Sequence, residues 1–144
     1  MAISRDDSRW VALADALLSL AREVGAANAI VADISENLWC RAVDVSDSEM
    51  KALDDMFMLA MSTATGPLQR GGSVRLIRAD QEPFFCAVSF AGIYLLLIRF
   101  EQPFDATRAA AIVDAQLPHI ERLTVALPPD DPHRPAESAS RLRR

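Results

Sequence analysis

Residues 73–100 read SVRLIRADQEPFFCAVSFAGIYLLLIRF, and this stretch decides the fold. It holds three apolar runs, SVRLIRA (73–79), FFCAVSF (84–90) and IYLLLIRF (93–100), separated by DQEP and AG. Short runs of this kind between turn residues read as consecutive strands, and links this brief suit an antiparallel meander. The last run does not alternate apolar with polar side chains. Strands without alternation are buried on both faces, so the sheet should carry helices on both sides.

Upstream, Gly71 and Gly72 read as the turn into the first of these strands. SDSE (46–49) is a capping box, a Ser cap followed three residues later by Glu. The helix it opens runs to about Ala64, and GP at 66–67 ends it. NAIVADI (28–34) and LWCRAV (38–43) read as a hairpin, with SENL (35–38) at the turn. Residues 6–24 form a first helix: Asp6, Asp7 and Ser8 offer its cap, and Gly25 its stop. Its Trp10, Leu13, Leu17, Leu20 and Val24 recur at helical spacing on one face.

Downstream, Asp105 caps a last helix that extends to about Leu127. Ile112, Val113, Leu117, Ile120 and Leu123 supply its buried side, and Pro118 should kink it. From Pro128 the sequence PPDDPHRPAESASRLRR holds four prolines and many charges, and reads as a disordered tail over 128–144. The expected order is therefore α-β-β-α-β-β-β-α. The fold class is a single-domain α/β sandwich over 1–127, with a five-stranded antiparallel sheet and helices on both faces.

Composition agrees with one globular domain: 144 residues, 51% hydrophobic and 24% charged. A net charge of −5 argues against nucleic acid, whose phosphates need a basic patch. The longest uncharged run, PFFCAVSFAGIYLLLI (83–98), falls short of the ~20 residues of a membrane span. MAISRDDSRW at the start has no apolar core of a signal peptide. Cys40 and Cys86 lie far apart in apolar runs and read as buried small hydrophobes. The expected location is the cytoplasm, with no membrane and no nucleic acid among the partners.

The chemistry-bearing residues form no recognisable site. His133 falls in the tail, and His119 has only Asp114 and Glu121 nearby, at no known ligand spacing. No serine sits in GxSxG, and both cysteines lie mid-strand, where packing is the ordinary role. Asp54 and Asp55 are helix neighbours pointing about 100° apart, so they make no acid–base dyad. Arg70-Gly71-Gly72 lacks the remaining features of a phosphate loop. No catalytic residue, cofactor or metal is expected, and the chain reads as a non-enzyme.

The second helix concentrates methionine: MKALDDMFMLAM (50–61) holds four of the chain's five. Stepping about 100° per residue places Met56, Ala60, Leu53, Ala64, Phe57, Met50 and Met61 within an arc of roughly 140°, an ordinary core face. Met58 falls outside the arc near Lys51 and Ser62, and Leu59 falls near Ala52 and Asp55. An exposed Met–Leu pair on a polar face suggests a contact surface.

The element order resembles the Roadblock / dynein light-chain family, whose fold is related to longin and profilin-like domains. The resemblance spans 8–127. It rests on NAIVADISENLWCRAV as the hairpin, SDSEMKALDDMFMLAMSTA as the central helix, GGSVRLIRADQEPFFCAVSFAGIYLLLIRFE as the meander, and the helix after Asp105. The resemblance implies a small non-enzymatic dimer in which central helices and the edge strands that follow them pair into one continuous sheet. It further implies regulation or scaffolding of a small Ras-like GTPase or a related signalling or motility complex, through pairing with itself or a related Roadblock-like subunit. The implied contact residues are Ala52, Asp55, Met58, Leu59, Ser62 and Thr63 on the helix, and Arg75 and Ile77 on strand 73–79. A second resemblance is to GAF-like small-ligand sensory domains. FFCAVSFAGIYLLLIRFEQPFD and the helix ending LPHIERL look like the closing half of that fold, but the 65–72 connection is short for a ligand pocket.

Overall fold

The computed structural model describes residues 8–33, 38–43 and 46–127. The expected disordered tail at 128–144 and most of the expected turn at 35–38 lie outside them. The elements are α1 (Ser8–Val24), β1 (Asn28–Asp33), β2 (Leu38–Arg41), a 3₁₀ turn (Asp47–Glu49), α2 (Met50–Gln69), β3 (Arg75–Arg78), β4 (Phe85–Phe90), β5 (Tyr94–Arg99) and α3 (Ala106–Val125). The expected α-β-β-α-β-β-β-α order is what the chain adopts.

The five strands lie in the order β2-β1-β5-β4-β3, every neighbouring pair antiparallel. IYLLLIRF forms β5, the middle strand, and its side chains divide strictly by parity. Leu96 and Ile98 join Ala29, Val31, Cys86 and Val88 in a core under α1 and α3. Leu95 and Leu97 join Ile30, Ala32, Phe85 and Ala87 in a second core under α2. Both faces are thus covered, which is why this strand shows no alternation.

Each helix presents one apolar stripe. Trp10, Leu13, Leu17, Leu20 and Val24 of α1 are all buried, as their spacing predicts. In α2 the buried set is Leu53, Met56, Ala60, Met61, Ala64 and Leu68. Met56 is fully buried, and emptying such a site to Ala costs about 2–5 kcal/mol. Met50 sits on the same arc but is 41% exposed, because it opens the helix. Asp105 caps α3 through its side chain, which accepts from the Arg108 amide at 3.0 Å. The helix continues through Pro118 to Val125.

Several boundaries differ from the sequence reading: strand β3 is Arg75–Arg78 where 73–79 is expected, α3 ends at Val125, and the ends of α2 and β2 differ for a visible reason. The second helix does not stop at Ala64 but runs to Gln69, with Pro67 inside its last turn. A proline there forfeits one intrahelical bond, and the true stop lies further on. The Gly71 amide donates to Leu68 O at 3.0 Å and the Gly72 amide to Pro67 O at 2.8 Å, while Gly71 takes φ 78°. This is the Schellman motif that glycine permits. Strand β2 ends at Arg41 and not at Val43. Beyond it the Asn28 side chain takes over: its Oδ1 accepts from the Val43 amide at 3.0 Å and its Nδ2 donates to Val43 O at 2.6 Å.

Candidate interaction surface

Strand β3 is one outer edge of the sheet. Its register with β4 fixes which backbone groups stay open. Ser89 donates its amide to Val74 O at 2.9 Å, and pairing continues as Leu76 with Ala87 and Arg78 with Phe85. Antiparallel ladders bond at alternate residues. The amides and carbonyls of Arg75 and Ile77 therefore point away from β4, toward an edge that no described residue covers. Past the strand, Ala79 O is already engaged, accepting from the Phe104 amide at 3.2 Å.

Side chains of β3 split between the two faces. Ile77 packs on the core under α1 and α3, and Leu76 on the core under α2. Arg75 shares the parity of Ile77 and forms an ion pair with Asp114 of α3. The contact residues implied by the resemblance are thus not one patch: Arg75 and Ile77 present side chains to the face opposite α2. What they share with the α2 side is the open backbone edge. Nothing in the sequence singles out Leu76, because a half-buried edge leucine looks like any strand residue.

On α2, Met58 is 73% exposed, the most exposed large hydrophobic residue among those described. Asp55, Ser62 and Thr63 are also exposed, and Ala52 is half-buried. Ser62 and Thr63 each turn their hydroxyls back to Leu59 O, both at 3.0 Å. Leu59 does not share the open face of Met58. It is half-buried and packs on the α2-side core, because the buried arc of this helix is wider than the wheel drew it.

An open hollow of about 540 Å³ lies beside the N-terminal half of α2, bordered by Ala52, Asp55, Glu82, Pro83, Arg99 and Glu101. Arg99 is 7% exposed, and its Nη2 donates to Glu49 Oε2 at 2.6 Å. Glu49 is held below the usual carboxylate range chiefly by the Ser46 hydroxyl, then by the Ser46 amide, with Arg99 adding less. The segment 65–72 does not border this hollow, and its Leu68 is buried in the core.

The remaining chemistry-bearing residues are scattered. Cys86 is buried in the core under α1 and α3, and burial pushes its thiol up to about 12. Cys40, half-buried, donates to Trp10 O at 3.9 Å. His119 is exposed on α3. Among the described residues no group of three or more His, Cys, Asp or Glu could hold a metal ion. No helix among them is long and apolar enough to cross a membrane.

No family model matches the chain, and no curated protein does. Among solved structures the chain is similar to Myxococcus xanthus MglB, with a TM-score of 0.60 at 9% identity, over 82% of this chain and 98% of that one. At this identity the likeness speaks for the fold: three helices around a five-stranded antiparallel sheet, in the longin/Roadblock-like arrangement.

Proposed function

We propose that this chain is a non-catalytic, dimeric interaction module of the Roadblock type, which regulates or scaffolds a small Ras-like GTPase or a related signalling or motility complex in the cytoplasm. The observation that carries the reading is the open edge of β3, with the backbone groups of Arg75 and Ile77 free for a further strand. Open edges are templates for strand addition. The exposed Met58 on α2 adds an apolar anchor, of the adaptable kind that contact surfaces favour. The shared fold with MglB supports the Roadblock-type frame, and the GTPase enters through that frame. Ala52, Asp55, Met58, Leu59, Ser62 and Thr63 with the β3 edge at Arg75 and Ile77 form the proposed partner surface, for a second copy or a related subunit.

Two measurements test the reading. Light scattering at tens of micromolar should give the mass of a dimer. Titration of that dimer with a purified Ras-like GTPase from the same host, loaded in turn with GDP and a GTP analogue, should give binding that depends on the nucleotide. A monomer with no affinity for either form overturns the proposal.

A further inference from the structure

Two copies of this chain can pair through β3 in several registers, and the geometry points to one: we infer that the two-fold axis passes through Leu76, so that Leu76 faces Leu76 of the partner subunit. This rests on the self-pairing reading above and specifies it to the residue.

The first constraint is hydrogen-bond parity. Only odd-numbered residues of β3 turn their amides and carbonyls outward, since Val74, Leu76 and Arg78 bond toward β4. An isologous antiparallel pair must match outward residues with outward residues. Four two-fold registers do so within the strand, with the axis at Arg75, Leu76, Ile77 or Arg78.

Charge and hydrogen bonding separate these four. An axis at Arg75 sets each Arg75 directly opposite its copy, and like charges directly opposite each other in a ladder are destabilising. It also draws on Ser73, which precedes the strand and follows the Gly71–Gly72 helix stop. An axis at Arg78 sets each Arg78 opposite its copy, and an axis at Arg78 or at Ile77 needs bonds across the interface from Ala79. Its carbonyl is already taken by the Phe104 amide at 3.2 Å. An axis at Leu76 has neither defect. Arg75 then pairs with Ile77 of the other chain, and Ile77 with Arg75. All four open groups of each strand are satisfied within β3 itself. Each Arg75 also keeps its ion pair with Asp114, which lies on the face that the other copy's Ile77 shares.

Side chains favour the same register. Leu76 is half-buried at the rim of the α2-side core. A two-fold axis normal to the sheet keeps both copies of Leu76 on that face. They form a non-hydrogen-bonded pair, the class in which Cα atoms approach to about 4.5 Å. The two α2-side cores then join across the axis, and the exposed part of each leucine is removed from water.

Cysteine scanning reads the axis directly. In a background where Cys40 and Cys86 are replaced by Ser and Ala, the single variants Arg75→Cys, Leu76→Cys, Ile77→Cys and Arg78→Cys are oxidised in dilute solution with copper phenanthroline and air. A symmetric disulfide forms only where a residue lies close to its own copy, since bridged Cα atoms sit about 4.4–6.8 Å apart. The expected result is cross-linking of Leu76→Cys at least about tenfold faster than of the other three. Faster cross-linking at 75, 77 or 78 moves the axis and overturns the register while leaving the dimer intact. If scattering shows dimers but none of the four cross-links, β3 pairing itself is wrong. A monomer by scattering in the parent background removes the self-pairing reading on which the register rests.

Discussion

Arg99 and Glu49, fifty residues apart, meet at 2.6 Å and tie the end of the central strand to the turn that opens α2. The guanidinium is nine-tenths buried, whereas the carboxylate side chain is 37% exposed. Glu49 also closes its capping box, accepting from the Ser46 amide at 3.3 Å and the Ser46 hydroxyl at 2.9 Å. One carboxylate thus starts the helix and holds it to the sheet.

Glu49→Gln should lower the melting temperature at neutral pH, and the loss should fade in acid. The sign follows from linkage. The Ser46 hydroxyl and amide, with Arg99, hold the folded group below its ordinary 4.5. The unfolded chain therefore takes up this proton first as pH falls. The stabilisation is present above about 4.5 and is lost as pH drops through the lower folded value. Thermal unfolding of both proteins from neutral pH into the acid range checks this. A gap that stays constant with pH would assign the effect to packing and not to ionisation.

Asn28→Ala should cost about 1–3 kcal/mol, because it strands the amide and carbonyl of Val43 that its side chain now satisfies. Asn28 is 3% exposed, so water cannot easily take its place. Asn28→Asp should be at least as harmful, since a carboxylate would then face the Val43 carbonyl. Urea unfolding monitored by circular dichroism gives both values.

Gly71→Ala should destabilise by about 1–2 kcal/mol, the cost of a left-handed conformation for a residue with a Cβ. A Cβ built there meets nothing within 4 Å, so the cost is conformational and not steric. Gly72→Ala tests the contrast. Its Cβ would lie 3.1 Å from Pro67 O, the carbonyl that closes the helix stop. Equal stability of Gly71→Ala and the parent protein in chemical denaturation would count against the proposed stop.

Much of this architecture is legible in the sequence because it is local. The unbroken apolar run of β5 announces two covered faces, and Asp105 marks the start of α3 by its own side chain. The end of α2 is not legible, because Gly66-Pro67 looks like a stop, while the actual stop depends on amides of Gly71 and Gly72 reaching back. The pairs Arg99–Glu49 and Arg75–Asp114 join residues fifty and thirty-nine apart. They exist only once the sheet order brings those elements together, so no spacing reveals them. The interaction surface was half legible: the wheel isolates Met58, but it cannot tell how far the sheet extends beneath Leu59.

That difference decides which α2 variant probes the interface. Met58→Arg should leave the protomer's unfolding free energy unchanged within about 0.5 kcal/mol, as exposed substitutions do, because Met58 is 73% exposed. It should nonetheless shift a dimer toward monomer in light scattering, since a charge in an apolar contact is left unpaired. Leu59→Arg should lower both quantities, because Leu59 packs on the α2-side core. Loss of dimer in Leu59→Arg alone therefore reports a damaged protomer. Loss in Met58→Arg with an unchanged unfolding midpoint, measured below the dimer's dissociation constant, places the outer face of α2 in the interface. An unchanged mass for Met58→Arg takes that face out of it and leaves the β3 edge as the contact.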